Sequence, residues 1–319
     1  MSKPILYIMC GLSGSGKSSV AAEIQKNNEN TVIVSSDALR EELFGDYEDQ
    51  KHNKEVFNEF HRRIRANLLN NMNVIADATN LAMKYCRAIL NNISDLDVYK
   101  ICYIIAKPEF WCVLNNFCRE HVVPTEVIDR QIKRFQIPFY KEGFNEIKII
   151  RNKDPLVLNE QIPNNLYFDK NMLFRLMVNF NQNNPYHIYT LDKHCLLAYQ
   201  LFEKSIDTKY HKNKAFKLGS KLHDLGKVFT QENDDKGISH FYSHSEYGSY
   251  YLLSQLKLPD GWTDNDLLDC CFLVNYHMLP FGWKTSKTKQ RWKERFGEYK
   301  YNLLMDFHKC DMEAANGKR

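Results

Sequence analysis

This 319-residue sequence has no long apolar segment, and its mean hydropathy is −0.51. No stretch approaches the roughly 18 apolar residues that a membrane-spanning helix needs. The apolar first ten residues lack both a basic segment and a small-residue cleavage site, so we expect no secretory signal peptide. These absences predict a cytoplasmic protein without a membrane partner.

A disulfide framework is also absent. The nine cysteines are odd in number and include no Cys-x-x-Cys pair, so we expect reduced thiols. The 13 glycines, 9 prolines and 26% charged residues are near the values of ordinary globular proteins. Collagen-like, coiled-coil and disordered chains are therefore excluded.

There is no strong excess of one charge, since the formal net charge is only +4. Residues 1–160 hold 21 basic and 21 acidic side chains, which leaves 22 basic and 18 acidic ones for the rest. Neither half can neutralise many phosphates. A nucleic-acid partner would therefore be contacted locally, at an end.

The first half of the chain alternates short apolar runs with helical segments. Buried strands are predicted at 5–9, 31–34, 73–76 and 99–105, and helices at 18–26, 51–70 and 83–92. This alternation is typical of a parallel sheet with helices on both faces. After residue 150 the apolar spacing is mostly helical. We predict an α/β domain over 1–150, a linker over 151–165 and an all-α domain over 166–319.

Residues 11–18 fit the pattern G-x-x-x-x-G-K-[ST] between a predicted strand and a predicted helix. Glycines let backbone N–H groups converge on phosphates, the lysine adds a charge, and the serine hydroxyl can bind Mg²⁺. A glycine-rich turn without a ligand is the weaker alternative. The predicted ATP and Mg²⁺ site comprises Gly11, Ser13, Gly14, Ser15, Gly16, Lys17 and Ser18.

Two carboxylates follow predicted strands on the same sheet edge. Asp37 can take the proton of an acceptor hydroxyl, and Arg40, one helical turn later, can hold a phosphate. Asp77 can orient Mg²⁺ through water. A helix cap, a solvated arginine and a turn aspartate are the alternatives. Further on, the (i, i+4) pair Arg130 and Arg134 would share a helix face and act as a lid over the phosphates, unless both are simply solvated.

These elements, in this order over roughly residues 5–150, resemble the polynucleotide 5′-hydroxyl kinase branch of the P-loop phosphotransferases. The resemblance includes Arg87 and the P-x-x-x-E-G-F segment after the lid, and it departs at Asn115, where relatives often carry arginine. It implies that Asp37 is the general base, Arg40 a contact to the acceptor phosphate, and Arg130 and Arg134 the lid arginines.

The second half contains His223-Asp224 followed by Lys227. Placed on a helix, the first two would lie about 100° apart and could hold one ion between them, and Lys227 could reach a phosphate. Further candidate ligands at element-like intervals are His194, His244, His277 and Asp311. We interpret His187, His211, His240 and His308 as structural or exposed.

This half resembles the HD superfamily of metal-dependent phosphohydrolases, and residues 182–197 are similar to the HD domains attached to CCA-adding tRNA nucleotidyltransferases. The resemblance implies a metal set of His194, His223, Asp224 and Asp311. His244 and His277 would complete a phosphate site or a second metal site. The expected metal is Mn²⁺, Ni²⁺, Co²⁺ or Zn²⁺, supporting phosphoester hydrolysis.

Together the two halves predict an enzyme that heals broken RNA, or DNA, ends. The kinase would phosphorylate a 5′-OH with ATP, and the HD domain would remove a 2′,3′-cyclic phosphate or a 2′(3′)-phosphate, so that a separate RNA ligase can seal the break. Three alternatives remain: a small-molecule or nucleoside kinase fused to an HD nucleotidase, a toxin-like kinase regulated by its HD partner, and a non-enzymatic ATP-dependent RNA-binding switch.

Overall fold

The computed structural model describes residues 3–151, 167–205 and 213–316, which fall into two compact units. Unit 1 comprises Met1–Gln131 and Glu142–Ile162, and unit 2 comprises Ile132–Lys141 and Pro163–Arg319. The predicted linker lies outside the described residues except for Arg151, and His211 lies outside them as well.

Unit 1 is built on a five-stranded parallel sheet with strand order β2-β3-β1-β4-β5. The strands are β1 (Ile5–Gly11), β2 (Thr31–Ser35), β3 (Asn73–Asp77), β4 (Tyr99–Ile105) and β5 (Glu146–Ile150). The predicted α/β architecture is confirmed here, with all four predicted strands close to their expected bounds. The fifth strand was not predicted, because Glu146 and Lys148 interrupt its apolar run.

The helices of unit 1 connect these parallel strands. They are α1 (Lys17–Asn27), α2 (Ser36–Phe44), α3 (Asn53–Leu69), α4 (Met83–Asn92), α5 (Glu109–Phe117) and α6 (Thr125–Ile132). The longest of them, α3, buries an apolar stripe of Val56, Phe60, Ile64 and Leu68. Because the strands are parallel, the segments after β1, β2 and β3 meet at one edge of the sheet.

Unit 2 is helical in its described residues apart from a short antiparallel pair, β6 (Glu232–Asn233) and β7 (Ser239–His240). Its helices are α7 (Lys170–Arg175), α8 (Leu191–Ser205), α9 (Lys214–Lys221), α10 (Lys227–Thr230), α11 (His244–Gln255), α12 (Asp264–Tyr276), α13 (Ser286–Phe296) and α14 (Glu298–Asn316). The helical character was predicted. Local signals fix individual ends: α12 begins at a capping box of Thr263 and Asp266.

The segment Ile132–Lys141 belongs to unit 2, although it precedes the last strand of unit 1. Phe139 packs edge-on against Phe272, Tyr276 and Phe296, and the N–H of Ile137 donates to Asn275 Oδ1 at 3.0 Å. Burying these side chains ends α6 at Ile132, so Arg134 lies beyond the helix and the predicted shared helix face with Arg130 is wrong.

No disulfide joins any two of the nine cysteines, all of which lie in the described part of the chain. Within the described residues, no helix combines the length and the apolar character required to cross a membrane.

Candidate functional site

The loop between β1 and α1 is the glycine-rich turn that the sequence predicts to bind phosphate. Gly14 and Gly16 have positive φ angles of 75° and 93°, which glycine adopts without strain. The N–H of Ser15 donates to the carbonyl of Leu12 at 3.1 Å and closes the turn. The loop leads directly into the N-terminus of α1 at Lys17, so backbone N–H groups and the helix dipole favour an anion there.

Side chains from α5 and α6 tie this loop in place. Asn115 Nδ2 donates to the carbonyl of Gly14 at 3.0 Å. Gln131 accepts from the Ser13 N–H at 2.8 Å and donates to the Ser13 hydroxyl at 2.9 Å. Asn115, the position at which the sequence resemblance departs, therefore supports the loop. Sequence reasoning did not identify Gln131, which has no motif of its own.

The predicted Mg²⁺ ligands meet beside the loop. The Ser18 hydroxyl donates to Asp77 Oδ2 at 2.9 Å, so the serine side chain and the carboxylate at the end of β3 lie side by side. Burial lowers the pKa of Lys17, while Asp77 and Asp37 oppose this shift. Burial raises the pKa of Asp77, and Lys17 and Ser18 oppose that change. A serine hydroxyl and a carboxylate beside a lysine are the donor set that Mg²⁺ and nucleotide phosphates require.

Asp37 lies in the first turn of α2, and Ser35 is the residue that caps the helix. Arg40 Nη1 donates to Asp37 Oδ1 at 2.6 Å, and Arg40 Nη2 donates to Asn53 Oδ1 at 3.0 Å. Tyr47 donates to Asp37 Oδ2 at 3.2 Å. The Asp37 side chain is 43% exposed, whereas that of Arg40 is 8% exposed. Arg40 thus braces Asp37, and its contact with an acceptor phosphate stays a prediction.

The predicted lid arginines are both exposed. Arg130 Nε donates to the carbonyl of Glu126 within its own helix at 3.2 Å, and Arg134 belongs to the segment grouped with unit 2. Arg87 lies 3.4 Å from the buried carboxylate of Glu142, which explains the acidic residue of the P-x-x-x-E-G-F segment as an ion-pair partner. The lid role stays a prediction.

In unit 2, six predicted ligands converge from five segments of the chain. His194 lies on α8, His244 begins α11, His277 follows α12, and Asp311 lies on α14. His223 and Asp224 lie in the turn between α9 and α10, where successive i+3 hydrogen bonds replace the expected helix. All six residues are buried.

The first half of this cluster surrounds one oxygen of Asp224. His194 Nε2 and His223 Nε2 each lie 3.4 Å from Asp224 Oδ2. The same two nitrogens lie 3.1 and 3.2 Å from Asp311 Oδ1. The four residues with the implied metal-binding role are therefore brought together.

The second half surrounds the other oxygen of the same carboxylate. His244 Nε2 and His277 Nε2 lie 3.1 and 3.4 Å from Asp224 Oδ1 and 3.3 Å from each other. Asp224 thus faces two groups of imidazole nitrogens, one with each oxygen.

The orientation of the imidazoles fits metal binding. Nδ1 of His223, His244 and His277 lies 2.7–2.9 Å from the backbone carbonyl of Ser220, Phe241 and Val274, respectively. When these imidazoles are neutral, as metal binding requires, this arrangement places the proton on Nδ1 and leaves a lone pair on each Nε2. His223 Nε2 and both nitrogens of His194 are buried without a hydrogen-bond partner among the described residues, despite the nearby carboxylates.

The distances fit metal coordination as well. Ligand atoms with bonds of about 2.1 Å to one ion, at tetrahedral or octahedral angles, are about 3.0–3.4 Å apart, and the observed separations are 3.1–3.4 Å. Imidazole with carboxylate suits Mn²⁺, Fe²⁺, Co²⁺, Ni²⁺ or Zn²⁺. The residues present can therefore hold one ion on each side of Asp224.

Charges within the cluster oppose the effect of burial on its carboxylates. Burial disfavours the charged form of Asp224, but Lys227 and His223 hold its pKa well below the usual range. Burial acts in the same way on Asp311, and His223 and His194 hold its pKa well below the usual range too. Both carboxylates are thus ionised and available as ligands at neutral pH.

Lys227 lies at the edge of the cluster among three acceptors. Its Nζ is 2.7 Å from Asp224 Oδ2, 2.8 Å from Gln182 Oε1 and 3.3 Å from His187 Nε2. Burial and the charge of Lys227 lower the pKa of His187 to about 4, so this imidazole is neutral. Our interpretation of His187 as merely structural or exposed missed this contact, although the residue falls inside the segment that resembles HD domains.

Among known proteins, a family profile matches the first half of the chain. Residues 6–138, less than half of the sequence, match a protein-family profile described as an AAA domain. No curated protein matches the sequence. The matched residues contain the glycine-rich sequence of residues 11–18 and the strands β2, β3 and β4.

Solved structures share weak similarity with this chain. A Pnkp1/Rnl/Hen1 complex matches with 24% identity over 50% of this chain and 50% of that chain, at a TM-score of 0.33. A Pnkp1/Rnl/Hen1 RNA repair complex matches with 17% identity over 86% of both chains, at 0.40. A gluconokinase from Sinorhizobium meliloti 1021 matches with 18% identity over 47% of this chain and 83% of that chain, at 0.35. The match thus spans half of the first of these chains.

Proposed function

We propose that this protein is a bifunctional enzyme that heals nucleic-acid ends, with a 5′-hydroxyl kinase in unit 1 and an HD-type phosphohydrolase in unit 2. One observation carries the proposal. The chain combines a P-loop that has a braced carboxylate nearby with a separate buried cluster of four histidines and two aspartates. Both sites suit phosphoryl chemistry, and neither requires the other's residues.

In unit 1, ATP phosphates would occupy the loop of Gly14 and Gly16, with Lys17 beside them. Ser18 and Asp77 would hold Mg²⁺, which neutralises phosphate charge when bound. Asp37 would accept the proton of the 5′-hydroxyl while the hydroxyl oxygen forms a bond to the γ-phosphorus of ATP. The bond from that phosphorus to ADP breaks, and ADP leaves. Arg40 supports this role because it fixes one carboxylate oxygen of Asp37 at 2.6 Å.

In unit 2, Asp224 would hold divalent metal together with His194, His223 and Asp311 on one side and with His244 and His277 on the other. Bound ions lower the pKa of water and withdraw charge from a phosphoryl oxygen. Lys227 would contact the substrate phosphate, since its ammonium group lies at the edge of the cluster. The substrate would be a 2′,3′-cyclic phosphate or a 2′(3′)-phosphate of RNA.

The test uses an RNA with a 5′-OH and a 2′,3′-cyclic phosphate, γ-labelled ATP, and a panel of Mg²⁺, Mn²⁺, Co²⁺, Ni²⁺ and Zn²⁺. We expect the wild type to label the 5′ end and to remove the terminal 3′-side phosphate. Asp37→Ala should abolish labelling and spare phosphate removal, and His223→Ala should do the reverse. The matched controls are Asp97→Ala, at an exposed residue of unit 1, and His240→Ala, at a half-buried residue of unit 2 that lies outside the cluster.

Each outcome addresses a separate part of the proposal. No labelling by the wild type would remove the kinase assignment, and labelling by Asp37→Ala would remove the assigned base. Phosphate removal by His223→Ala would contradict the metal assignment. Free nucleosides and gluconate serve as competing acceptors: preference for either would favour a small-molecule kinase. ATP binding without turnover would favour a non-enzymatic switch. Sealing of the healed ends by a separate RNA ligase would identify its functional partner.

A further inference from the structure

Tyr47 lies between α2 and α3, beside the carboxylate proposed as the general base. Its hydroxyl donates to Asp37 Oδ2 at 3.2 Å and accepts from Arg119 Nη2 at 3.4 Å. Its ring stacks on His121, with ring centroids 4.4 Å apart and 13° between the ring planes. Tyr47 therefore joins the start of α2 to the segment between α5 and α6.

We infer that Tyr47 is a positioning residue that orients Asp37 toward the hydroxyl accepting the phosphoryl group. This inference rests on the proposed kinase function of unit 1. Arg40 and Ser36 donate to Oδ1 of Asp37 and Tyr47 donates to Oδ2, so donors on both oxygens fix the plane of the carboxylate. Each carboxylate oxygen offers about two lone pairs. Oδ2 therefore keeps one for the acceptor hydroxyl, and the 43% exposure of the side chain leaves it accessible.

The contact with Arg119 connects Asp37 to the phosphate end of the site. Arg119 donates to Tyr47, which donates to Asp37, so the two hydrogen bonds polarise each other in one direction. The charge of Arg119 also acts on Lys17 and Asp77 beside the P-loop. Burial and the charge of Asp37 raise the pKa of Tyr47, with Arg119 opposing, so the hydroxyl stays protonated and remains a donor.

The first test is Tyr47→Phe, which removes the hydroxyl and keeps the ring that stacks on His121. We expect kcat for 5′-hydroxyl phosphorylation to fall about ten- to a hundredfold, the effect of losing a hydrogen bond to a charged group. KM for ATP should change less than about twofold, because Tyr47 makes no contact with the P-loop among the described hydrogen bonds. A purely structural role would not separate kcat from KM in this way.

Two variants serve as controls for Tyr47→Phe. Tyr99→Phe removes a hydroxyl from the exposed start of β4, at the opposite end of the sheet, and should leave kcat unchanged. His121→Ala removes the stacking partner and keeps the hydroxyl, so it should cost less than about threefold in kcat. An equal loss in His121→Ala and Tyr47→Phe would overturn the role assigned to the hydroxyl.

The second test does not depend on activity. Nuclear magnetic resonance of ring-labelled tyrosines follows the titration of Tyr47, whose signal is assigned by its loss in Tyr47→Phe. Asp37→Asn should lower the pKa of Tyr47, because the carboxylate charge and hydrogen bond raise it in the wild type. Arg119→Gln should raise that pKa. Identical titration of Tyr47 in the wild type and Asp37→Asn would overturn the contact.

Failure of this inference differs from failure of the proposed function. If the wild type transfers phosphate to an oligonucleotide and Tyr47→Phe has the same kcat, only the positioning role is overturned. If the wild type transfers phosphate to no acceptor, the kinase proposal fails, and the role of Tyr47 in it fails as well.

Discussion

At the residue scale, Gly14 meets two constraints that only glycine satisfies together. Its φ is +75°, and a Cβ on it would lie 2.1 Å from the carbonyl oxygen of Cys112 on α5. Gly16 has a φ of +93° and open space around the same position. Alanine at Gly16 therefore measures the destabilisation by backbone strain alone, and alanine at Gly14 adds the destabilisation by the close approach to α5.

We predict that Gly14→Ala lowers the free energy of unfolding by about 2–4 kcal/mol, from left-handed backbone strain and overpacking together. Gly16→Ala should cost only the strain, about 1–2 kcal/mol. Denaturant unfolding, followed by a probe in unit 1, measures both. Equal losses in the two variants would show that α5 does not press on the loop.

The divided environment of Asp224 gives a second residue-scale prediction. Its Oδ2 faces His194 and His223, and its Oδ1 faces His244 and His277. Wild-type protein loaded with Mn²⁺ should retain close to two ions per chain after desalting. Elemental analysis measures this metal content. His277→Ala should retain close to one, because His194, His223 and Asp311 still surround the first position. His240→Ala, at a half-buried histidine outside the cluster, is the control. An unchanged metal content in His277→Ala would contradict a two-ion site.

Sequence motifs predict most residues of both candidate sites. The residues that the motifs miss are those whose role depends on contacts between distant parts of the chain. Ser18, Asp77 and the six proposed metal ligands belong to recognisable patterns, and the structure brings each set together. Tyr47 and Gln131 carry no pattern, because their contacts join segments that are distant in sequence. Such contacts follow from tertiary packing, which one sequence does not reveal.

At the element scale, segments that depend on tertiary packing are again the ones that the sequence does not predict. Buried strands such as β1 and β4 are predicted from their apolar runs. The strand β5 lies at the sheet edge and alternates charged and apolar residues, so it carries no such run. The end of α6 and the assignment of Ile132–Lys141 depend on Phe139 being buried among helices more than a hundred residues away. The sequence predicts a helix for the segment that carries His223 and Asp224, whereas the structure has a turn closed by i+3 hydrogen bonds.

The close approach of two elements holds that turn beside α11. A Cβ on Gly226 would lie 1.9 Å from the carbonyl oxygen of His244 and 2.7 Å from the N–H nitrogen of Gly248. The φ of Gly226 is −61°, so its backbone conformation would tolerate alanine. Any effect of a methyl group here must therefore come from pushing α10 and α11 apart.

We predict that Gly226→Ala displaces His244 from Asp224 and weakens the second metal position at least about tenfold, with a smaller effect on the position bounded by Asp311. Stepwise Mn²⁺ titration by calorimetry resolves the two. Gly282→Ala, at a glycine with open space around it, is the matched control. Equal weakening of both positions would indicate that unit 2 is destabilised as a whole.

At the scale of the whole molecule, charge limits how nucleic acid can be bound. A net charge of +4 on 319 residues, with none of it from residues 1–160, cannot neutralise a long strand. The proposed sites instead present a few local cations, such as Lys17 and Arg40 in unit 1 and Lys227 in unit 2. Binding should therefore depend on the chemistry of the strand ends more than on strand length.

We predict that binding of a single-stranded RNA with a 5′-OH and a 2′,3′-cyclic phosphate has a shallow salt dependence. With about three phosphates neutralised, the slope of log Kobs against log salt concentration should be about −2. Lengthening the RNA from about 10 to about 30 nucleotides should change the affinity per end less than about threefold. Fluorescence anisotropy over a salt series measures both quantities, and an RNA with a 5′-phosphate and a 3′-OH is the control for end recognition. A slope steeper than about −5, or affinity that rises in proportion to length, would mean that the chain binds along the strand, because only many distributed phosphate contacts release that many counterions.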